Sequence, residues 1–119
     1  MKASELMIMD WVLLDGTPIQ VAGLHNRKVG VHKRRRSIYC SWHSDGEFRP
    51  IPLTEDILVK NGWRKESITI DGDYANWHGE IPICQEEDEF NYERIGLTYV
   101  HQLQHLLRLC GIEKELIID

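Results

Sequence analysis

The stretch IMDWVLLDGTPIQVAGLHNRKVGVH (residues 8–32) decides the fold, because three short segments rich in strand-forming residues alternate there with turn residues. The predicted strands are residues 8–14, 18–24 and 28–32. Asp15-Gly16 separates the first two strands, and a second break falls near Asn26. The pattern therefore predicts consecutive antiparallel hairpins.

The hairpin pattern continues over the next twenty residues. Residues 37–42 predict a further strand that ends at the turn Ser44-Asp45-Gly46, and residues 47–51 are expected to return as its partner. A meander of about five strands is enough to curl into a small barrel. Helical periodicity is absent from this half of the sequence.

Two short helices are predicted in the second half. Thr54 is the expected N-cap of a helix at about 54–61, since Glu55 and Asp56 then lie at the positive end of its dipole. A second helix is expected at about 99–110, capped by Thr98 and ended by Gly111. Further strands are predicted over residues 63–70, 77–84, 94–99 and 113–118.

The predicted fold class is therefore α+β, with an antiparallel, barrel-like N-terminal sheet and two short helices. A length of 119 residues suits a single domain, in which residues 1–51 form the β-meander and residues 52–119 a mixed portion packed on it. No apolar run approaches the roughly 20 residues that span a bilayer, and the N-terminus lacks the pattern of a secretory signal. We expect no membrane partner and a cytoplasmic location.

The cysteines also favour a reducing compartment. Cys40, Cys84 and Cys110 are odd in number and far apart, which suits neither a disulfide framework nor a metal-binding knuckle. We expect reduced, mostly buried thiols, with Cys110 in the core.

Charge is unevenly distributed along the chain. The formal net charge is −5, which disfavours dominant nonspecific DNA binding. Residues 27–36 nevertheless carry six of the fourteen Lys and Arg, whereas residues 86–89 are wholly acidic. This pattern predicts a basic side and an acidic side, with the acidic run forming a solvated loop or turn.

Three segments carry a resemblance to known proteins. ELMIMDWVLLDGTPIQVAGL (5–24), IPLTEDILVKNGW (51–63) and YVHQLQHLLRLCGIEKEL (99–116) resemble, in that order, a family of small uncharacterised proteins of gut-bacterial genomes, mobile elements and their phages. The resemblance implies a bacterial or phage protein of the cytoplasm, and no activity comes with it. Residues 64–90 show no pattern of that family.

The opening segment also resembles a second group. DWVLLDG (residues 10–16) followed by a polar turn and another strand is similar to the first hairpin of SH3-like and KOW-type small barrels. That resemblance favours a binding module over an enzyme, although a shared fold is a weak warrant for function.

The second predicted helix places two histidines four residues apart. His101, His105 and Arg108 fall on a polar stripe facing away from the apolar stripe, which consists of Val100, Leu103, Leu106, Leu107 and Cys110. Histidines at this spacing can share zinc, but the HExxH pattern needs Glu at position 102, which is Gln. Arg108 would repel a cation, and a third ligand would have to come from His25, His32, His43, His78 or a carboxylate. We therefore expect no metal and no cofactor, and a stripe that is plain surface, packs on a sheet or binds a polar partner.

The basic stretch HKRRRSIYCSW (residues 32–42) is the strongest candidate binding site. Its members are Lys33, Arg34, Arg35, Arg36, Tyr39 and Trp42. Guanidinium groups hold phosphates, and an aromatic side chain on a strand can stack on an unpaired base. The alternative is a solvated hairpin tip whose aromatic residues belong to the core.

These patterns favour a noncatalytic binding or adaptor module whose partner is a protein or a nucleic acid. The alternative is a small hydrolase, either metal-dependent through His101 and His105 or built on a Cys–His pair. Such a pair would combine Cys40 or Cys84 with His43 or His78. No catalytic residue is assigned, and the sequence leaves the oligomeric state open.

Overall fold

The computed structural model describes residues 1–32 and 40–118. The chain divides into two compact units, Met1–Ile51 and Pro52–Asp119. The division falls where the sequence pattern changes from strand-rich to mixed. Within the described residues, none of the helices has the length and apolar character needed to cross a membrane.

The first unit is a five-stranded antiparallel sheet. Its strands are β1 (Trp11–Leu14), β2 (Thr17–His25), β3 (Lys28–His32), β4 (Cys40–Ser44) and β5 (Phe48–Pro50). Their order across the sheet is β4-β3-β2-β1-β5. A short 3-10 helix at Ala3–Glu5 precedes β1, and a second at Asp45–Glu47 joins β4 to β5.

Two hairpin turns join the first three strands at the predicted breaks. β1 begins at Trp11, three residues later than predicted, because Ile8 and Met9 lie in a turn in which Met9 has a φ of +77°. Leu14 pairs with Thr17, so Asp15 and Gly16 form a two-residue turn with φ of +50° and +76°. Positive φ at both positions is the geometry that Asp-Gly favours in hairpins. Asn26, with φ of +55°, begins the next two-residue turn, between the paired residues His25 and Lys28. Both predicted breaks are confirmed.

The pairing of the last strand differs from the prediction. β5 pairs with β1, with Leu13 opposite Arg49, and does not return along β4. The 3-10 helix at Asp45–Glu47 replaces the tight turn that a hairpin would need. β4 and β5 are the two edges of the sheet, which is not closed. The expected barrel therefore describes this sheet only loosely.

One face of this sheet carries the core of the first unit. Its buried members are Ala3, Leu6, Val12, Val21, Val29, Val31 and Phe48. Alternate strand residues point to the same face, which is why the valines at 29 and 31 are both buried. Full burial of such a side chain contributes about 1.5–3 kcal/mol. We call the opposite side of this sheet the outer face.

The second unit combines another antiparallel meander with two helices. In chain order these elements are α1 (Glu55–Lys60), β6 (Arg64–Ser67), β7 (Tyr74–His78), β8 (Ile83–Glu86), β9 (Glu89–Tyr92), β10 (Ile95–Gly96) and α2 (Val100–Leu109). The strand order is β10-β9-β8-β7-β6. The α+β class predicted from the sequence is confirmed.

Capping residues position both helices. The Thr54 hydroxyl accepts a hydrogen bond from the Ile57 amide at 3.3 Å, as predicted for an N-cap. α2 begins one residue later than predicted, with Tyr99 rather than Thr98 at the N-cap position. The Gln102 side-chain oxygen accepts from the amides of Thr98 at 2.8 Å and Tyr99 at 3.0 Å. These two bonds, from a side chain in the first turn back to the residues that precede it, stabilise the start of the helix.

Several strand predictions in this unit are wrong in extent. The strand expected over residues 63–70 ends at Ser67, and Ile68 and Ile70 are exposed. The strand expected over residues 77–84 is two strands, β7 and β8, joined by a turn. The one expected over residues 94–99 is reduced to Ile95–Gly96.

The C-terminal segment is not a strand, although the backbone of one of its residues is hydrogen-bonded on both sides as in a strand. The Asn61 side chain donates to the Ile117 carbonyl at 2.8 Å and accepts from the Ile117 amide at 2.7 Å. A single carboxamide thus satisfies both backbone groups that a neighbouring strand would otherwise pair. Leu116, the residue before Ile117, is buried. The strand predicted over residues 113–118 is therefore wrong. The backbone hydrogen bonds that a neighbouring strand would make to Ile117 are made by the side chain of Asn61.

Lys114, in the same segment, contacts the core of the second unit. Its ammonium lies 5.3 Å from the centroid of the buried Trp63 ring and 2.6 Å from the Glu80 carboxylate. The hydrogen bond from Lys114 lowers the pKa of Glu80 below its ordinary value. Gly79 lies against the Trp63 indole so closely that a Cβ at position 79 would overlap it. Close approach therefore requires glycine at this position.

Candidate functional site

The structure describes only one of the six residues of the predicted basic site. Lys33, Arg34, Arg35, Arg36 and Tyr39 lie outside the described residues. Trp42 lies in the middle of β4, and half of its surface is exposed. It is therefore not a core residue, which was the alternative for this aromatic side chain.

Two glycines on neighbouring strands lie beneath the Trp42 ring. Trp42 pairs with Gly30 on β3, and Gly30 pairs with Gly23 on β2. A Cβ on Gly23 would lie 2.9 Å from the Cη2 atom of Trp42, and one on Gly30 would lie 3.1 Å from it. The indole thus lies across both strands where neither has a side chain. Glycine within a strand often marks such a close approach, so Gly23 and Gly30 are the signal in the sequence that indicates this contact.

Basic and imidazole side chains share the outer face with this ring. Lys28 and His32 lie two residues on either side of Gly30 along β3, so they share its face of the sheet. His25, opposite Lys28 on β2, lies on that face as well. All three side chains are exposed. Strands β1 to β5 contain no Asp or Glu.

The division into two units also separates the charges. Residues 1–51 carry eight Lys and Arg against five Asp and Glu, a formal net charge of +3. Residues 52–119 carry six Lys and Arg against fourteen Asp and Glu, a formal net charge of −8. The chain total of −5 therefore conceals a basic unit that contains Trp42. A unit of net positive charge attracts anionic partners.

The acidic run forms the hairpin between β8 and β9. Glu86 pairs with Glu89 across the hairpin, and Glu87 has a φ of +58° in the turn. The prediction of a turn is confirmed for residues 87–88, while both ends of the run belong to strands. The side chains of all four residues are exposed.

The polar stripe predicted on α2 is only partly outward. His101 is 5% exposed, whereas His105 and Arg108 are half-buried. The His101 ring stacks on Tyr99, with 5.8 Å between centroids and 9° between planes, and meets His105 edge-on at 5.6 Å. Gln104 is buried too, so neighbours cover more of the helix surface than the apolar stripe alone requires. His101 thus lies outside the apolar stripe but is buried, so plain surface, one of the alternatives for this stripe, does not describe His101.

His101 and His105 have no third metal-binding side chain beside them in the described part of the chain. No group of three or more His, Cys, Asp or Glu residues in residues 1–32 and 40–118 is arranged to hold a metal ion. Two imidazoles alone leave a tetrahedral zinc ion short of protein ligands.

Purified protein is therefore expected to hold no stoichiometric zinc. Elemental analysis after dialysis is the measurement, with the double variant His101→Ala, His105→Ala as the matched sample. One zinc per chain in the native protein that is lost in the double variant would contradict this expectation and restore the metal-dependent alternative.

The thiols are more exposed than predicted. Cys40 is half-buried, and both Cys84 and Cys110 are exposed, although all three are free. Cys110 follows Leu109, the last residue of α2, so it lies beyond the buried apolar stripe of the helix. The prediction of mostly buried thiols, with Cys110 in the core, is wrong.

The histidines that a Cys–His hydrolase would use are bonded to other groups. The Nε2 atom of His43 lies 3.1 Å from the Ser41 hydroxyl oxygen, and its Nδ1 atom lies 3.7 Å from a Glu47 oxygen. The Nε2 atom of His78 lies 2.6 Å from a Glu66 oxygen. Activation of a thiol requires a base within hydrogen-bond reach of it. These contacts do not supply such a pair.

Comparison of the chain with protein-family models, curated proteins and solved structures finds no match. The two resemblances of the sequence to known families therefore stay predictions.

Proposed function

We propose that this chain is a noncatalytic binding module whose first unit binds single-stranded nucleic acid on the outer face. The observation that carries the proposal is the half-exposed Trp42 ring lying across Gly23 and Gly30. The resemblance to bacterial and phage proteins supports a cytoplasmic setting, where such strands are abundant. The resemblance to small barrels supports a binding role.

The position of the ring suits base stacking. One side of the indole is held by the backbone of two strands, which restricts its motion, and half of the side chain is left open to a ligand. A base stacked on such an aromatic ring contributes about 1–3 kcal/mol. Restricting the ring before binding lowers the entropy lost when the base arrives. A flat, supported aromatic side chain therefore favours an unpaired base as the ligand.

Positive charge adjoins this ring in both sequence and structure. Lys28 lies on the same face, and residues 33–36, all Lys or Arg, lie in the sequence between β3 and β4. Phosphate groups of a strand bind such side chains and release counterions. The strands contain no carboxylate that would oppose this attraction. The net charge of −8 on residues 52–119 restricts the strand to the first unit.

Fluorescence anisotropy with labelled single-stranded RNA and DNA at low salt tests the proposal directly. We expect saturable binding that weakens steeply as salt rises, and weaker binding of the same sequence as a duplex, whose bases are not free to stack. Absence of binding at tens of micromolar protein would overturn the nucleic-acid proposal. In that case the outer face would be a surface for docking a protein.

The contribution of the basic stretch is separable by its salt dependence. Replacing Arg34 and Arg36 by alanine is expected to reduce the slope of log affinity against log salt by about one to two units, because fewer counterions are released. Binding isotherms at several salt concentrations provide the measurement.

The control is Lys60→Ala with Arg64→Ala, which removes two exposed cations from the acidic unit and changes the total charge equally. It should leave the slope nearly unchanged. Equal slopes for both double variants would show that residues 34 and 36 touch no phosphate.

A further inference from the structure

We infer that an open cavity at one end of the first sheet is a phosphate-binding site. The cavity has a volume of about 530 Å³ and is lined by Lys2, Ala3, Ser4, Asn26, Arg27 and Asp45. All of these residues belong to the first unit. The inference rests on the proposed function in one respect, since it assigns the phosphate to the strand whose base stacks on Trp42.

Three segments of backbone meet to form this cavity. The Asp45 amide donates to the Arg27 carbonyl at 2.9 Å, which joins the start of the 3-10 helix to the turn between β2 and β3. The Asp45 carboxylate accepts from the Ala3 amide at 3.0 Å, which holds the N-terminal 3-10 helix against the same point. These contacts fix the walls before any ligand arrives, as a binding site requires.

The lining favours an anion. Lys2 and Arg27 are exposed, and neither forms an ion pair with any residue that the structure describes. Among the lining residues that the structure describes, Asp45 alone carries a carboxylate, and one of its oxygens already accepts the Ala3 amide. Ser4 and Asn26 add a hydroxyl and a carboxamide that can donate hydrogen bonds. Two cations with neutral donors match the several acceptor oxygens of a phosphate.

The position of the cavity relates it to Trp42. Asp45 follows Trp42 by three residues and comes directly after the end of β4 at Ser44. A strand rises about 3.3 Å per residue, so the two residues are about 10 Å apart along the chain. A single strand bound to an oligonucleotide-binding fold occupies roughly 4–16 nucleotides, which is longer than this distance. One strand can therefore place a base on the indole and a backbone phosphate in the cavity. The cavity would fix the position of the strand along the sheet.

The phosphate site is testable with inorganic phosphate alone. In ¹H–¹⁵N correlation spectra of the full chain, we expect saturable shifts of the Ala3, Ser4, Asn26 and Arg27 amides. A titration with chloride at matched ionic strength is the control. The double variant Lys2→Gln, Arg27→Gln should bind phosphate at least about tenfold more weakly, since each charge-assisted bond is stronger than a neutral one. Shifts that do not saturate, or that are equal in size over residues 52–118, would overturn the inference.

Oligonucleotide binding by the same double variant separates this inference from the proposed function. We expect about tenfold weaker binding and a salt slope lower by about one unit, with the effect of Trp42 preserved. An oligonucleotide that binds the native chain through Trp42 but binds the double variant with equal affinity and slope would overturn the phosphate site alone. Saturable phosphate shifts at the cavity in a protein that binds no oligonucleotide would support the site and overturn the proposed function.

Discussion

Replacing Leu107 by alanine is expected to lower the free energy of unfolding by about 2–5 kcal/mol. Leu107 is 1% exposed on α2, where Val100 and Leu103 are fully buried as well. A ten-residue helix is not stable by itself in water, so its stability comes from burial of this stripe. Removing three carbons leaves a cavity that the surrounding core fills only in part. Chemical denaturation followed by far-UV circular dichroism measures the change.

Leu109 on the same helix provides a matched control, because its side chain is 84% exposed. Leu109→Ala makes the same chemical change at a position with little packing, and surface substitutions of this kind stay within about 0.5 kcal/mol. A loss below about 0.5 kcal/mol for Leu107→Ala would show that the stripe is not part of a core. Equal losses for the two variants would contradict the assignment of the two helix faces.

The features predicted correctly from the sequence depend on neighbouring residues. Asp15, Gly16 and Asn26 adopt positive φ, which these residue types tolerate better than most, so the hairpins that they join could be placed. Thr54 caps α1 through a bond to Ile57, three residues along the chain. Such local contacts carry most of the information that a single sequence provides about its fold.

The errors lie where distant segments meet. β5 pairs with β1, which is far from it in the sequence of the first unit. Nothing in residues 47–51 indicates that this segment pairs with β1 rather than with the preceding strand, β4. Ile117 pairs with the side chain of Asn61, which is 56 positions away. His101 is 5% exposed although it lies outside the apolar stripe of α2. Periodicity identifies an apolar stripe, but the number of neighbours around a helix is set by tertiary structure.

The candidate site shows the same limit at a single residue. Trp42 could be selected from the sequence because it follows a run of basic residues. The position of its ring over Gly23 and Gly30 could not be predicted, because the register of β2 against β3 shifts between Val21 and Gly23. One extra residue at this bulge places Gly23 opposite Gly30, and regular alternation would not predict that pairing. The aromatic residue was therefore predictable, and its geometry was not.

Trp42→Ala is expected to weaken binding of a single-stranded oligonucleotide by about 1–3 kcal/mol, roughly five- to 150-fold. The salt slope should stay nearly unchanged, because the indole releases no counterions. This pattern is the reverse of that expected for the Arg34 and Arg36 double variant, which changes the slope. Anisotropy isotherms at three or more salt concentrations measure affinity and slope in the same experiment.

Two further variants separate stacking from support of the sheet. Trp42→Leu keeps an apolar side chain near Gly23 and Gly30 but removes the aromatic ring, so it should bind as weakly as Trp42→Ala. Trp42→Phe keeps a smaller ring and should retain intermediate affinity. Tyr74→Ala removes an exposed aromatic side chain from the acidic unit and should change nothing.

Denaturation curves of the Trp42 variants show whether each one is folded under the binding conditions. Native affinity in a folded Trp42→Leu variant would mean that the indole covers the glycines without stacking on a base. A loss shared equally by Tyr74→Ala would mean that aromatic side chains contribute without regard to position. Only a loss confined to Trp42 variants, graded by ring size and independent of salt, is the result that a glycine-supported stacking surface requires.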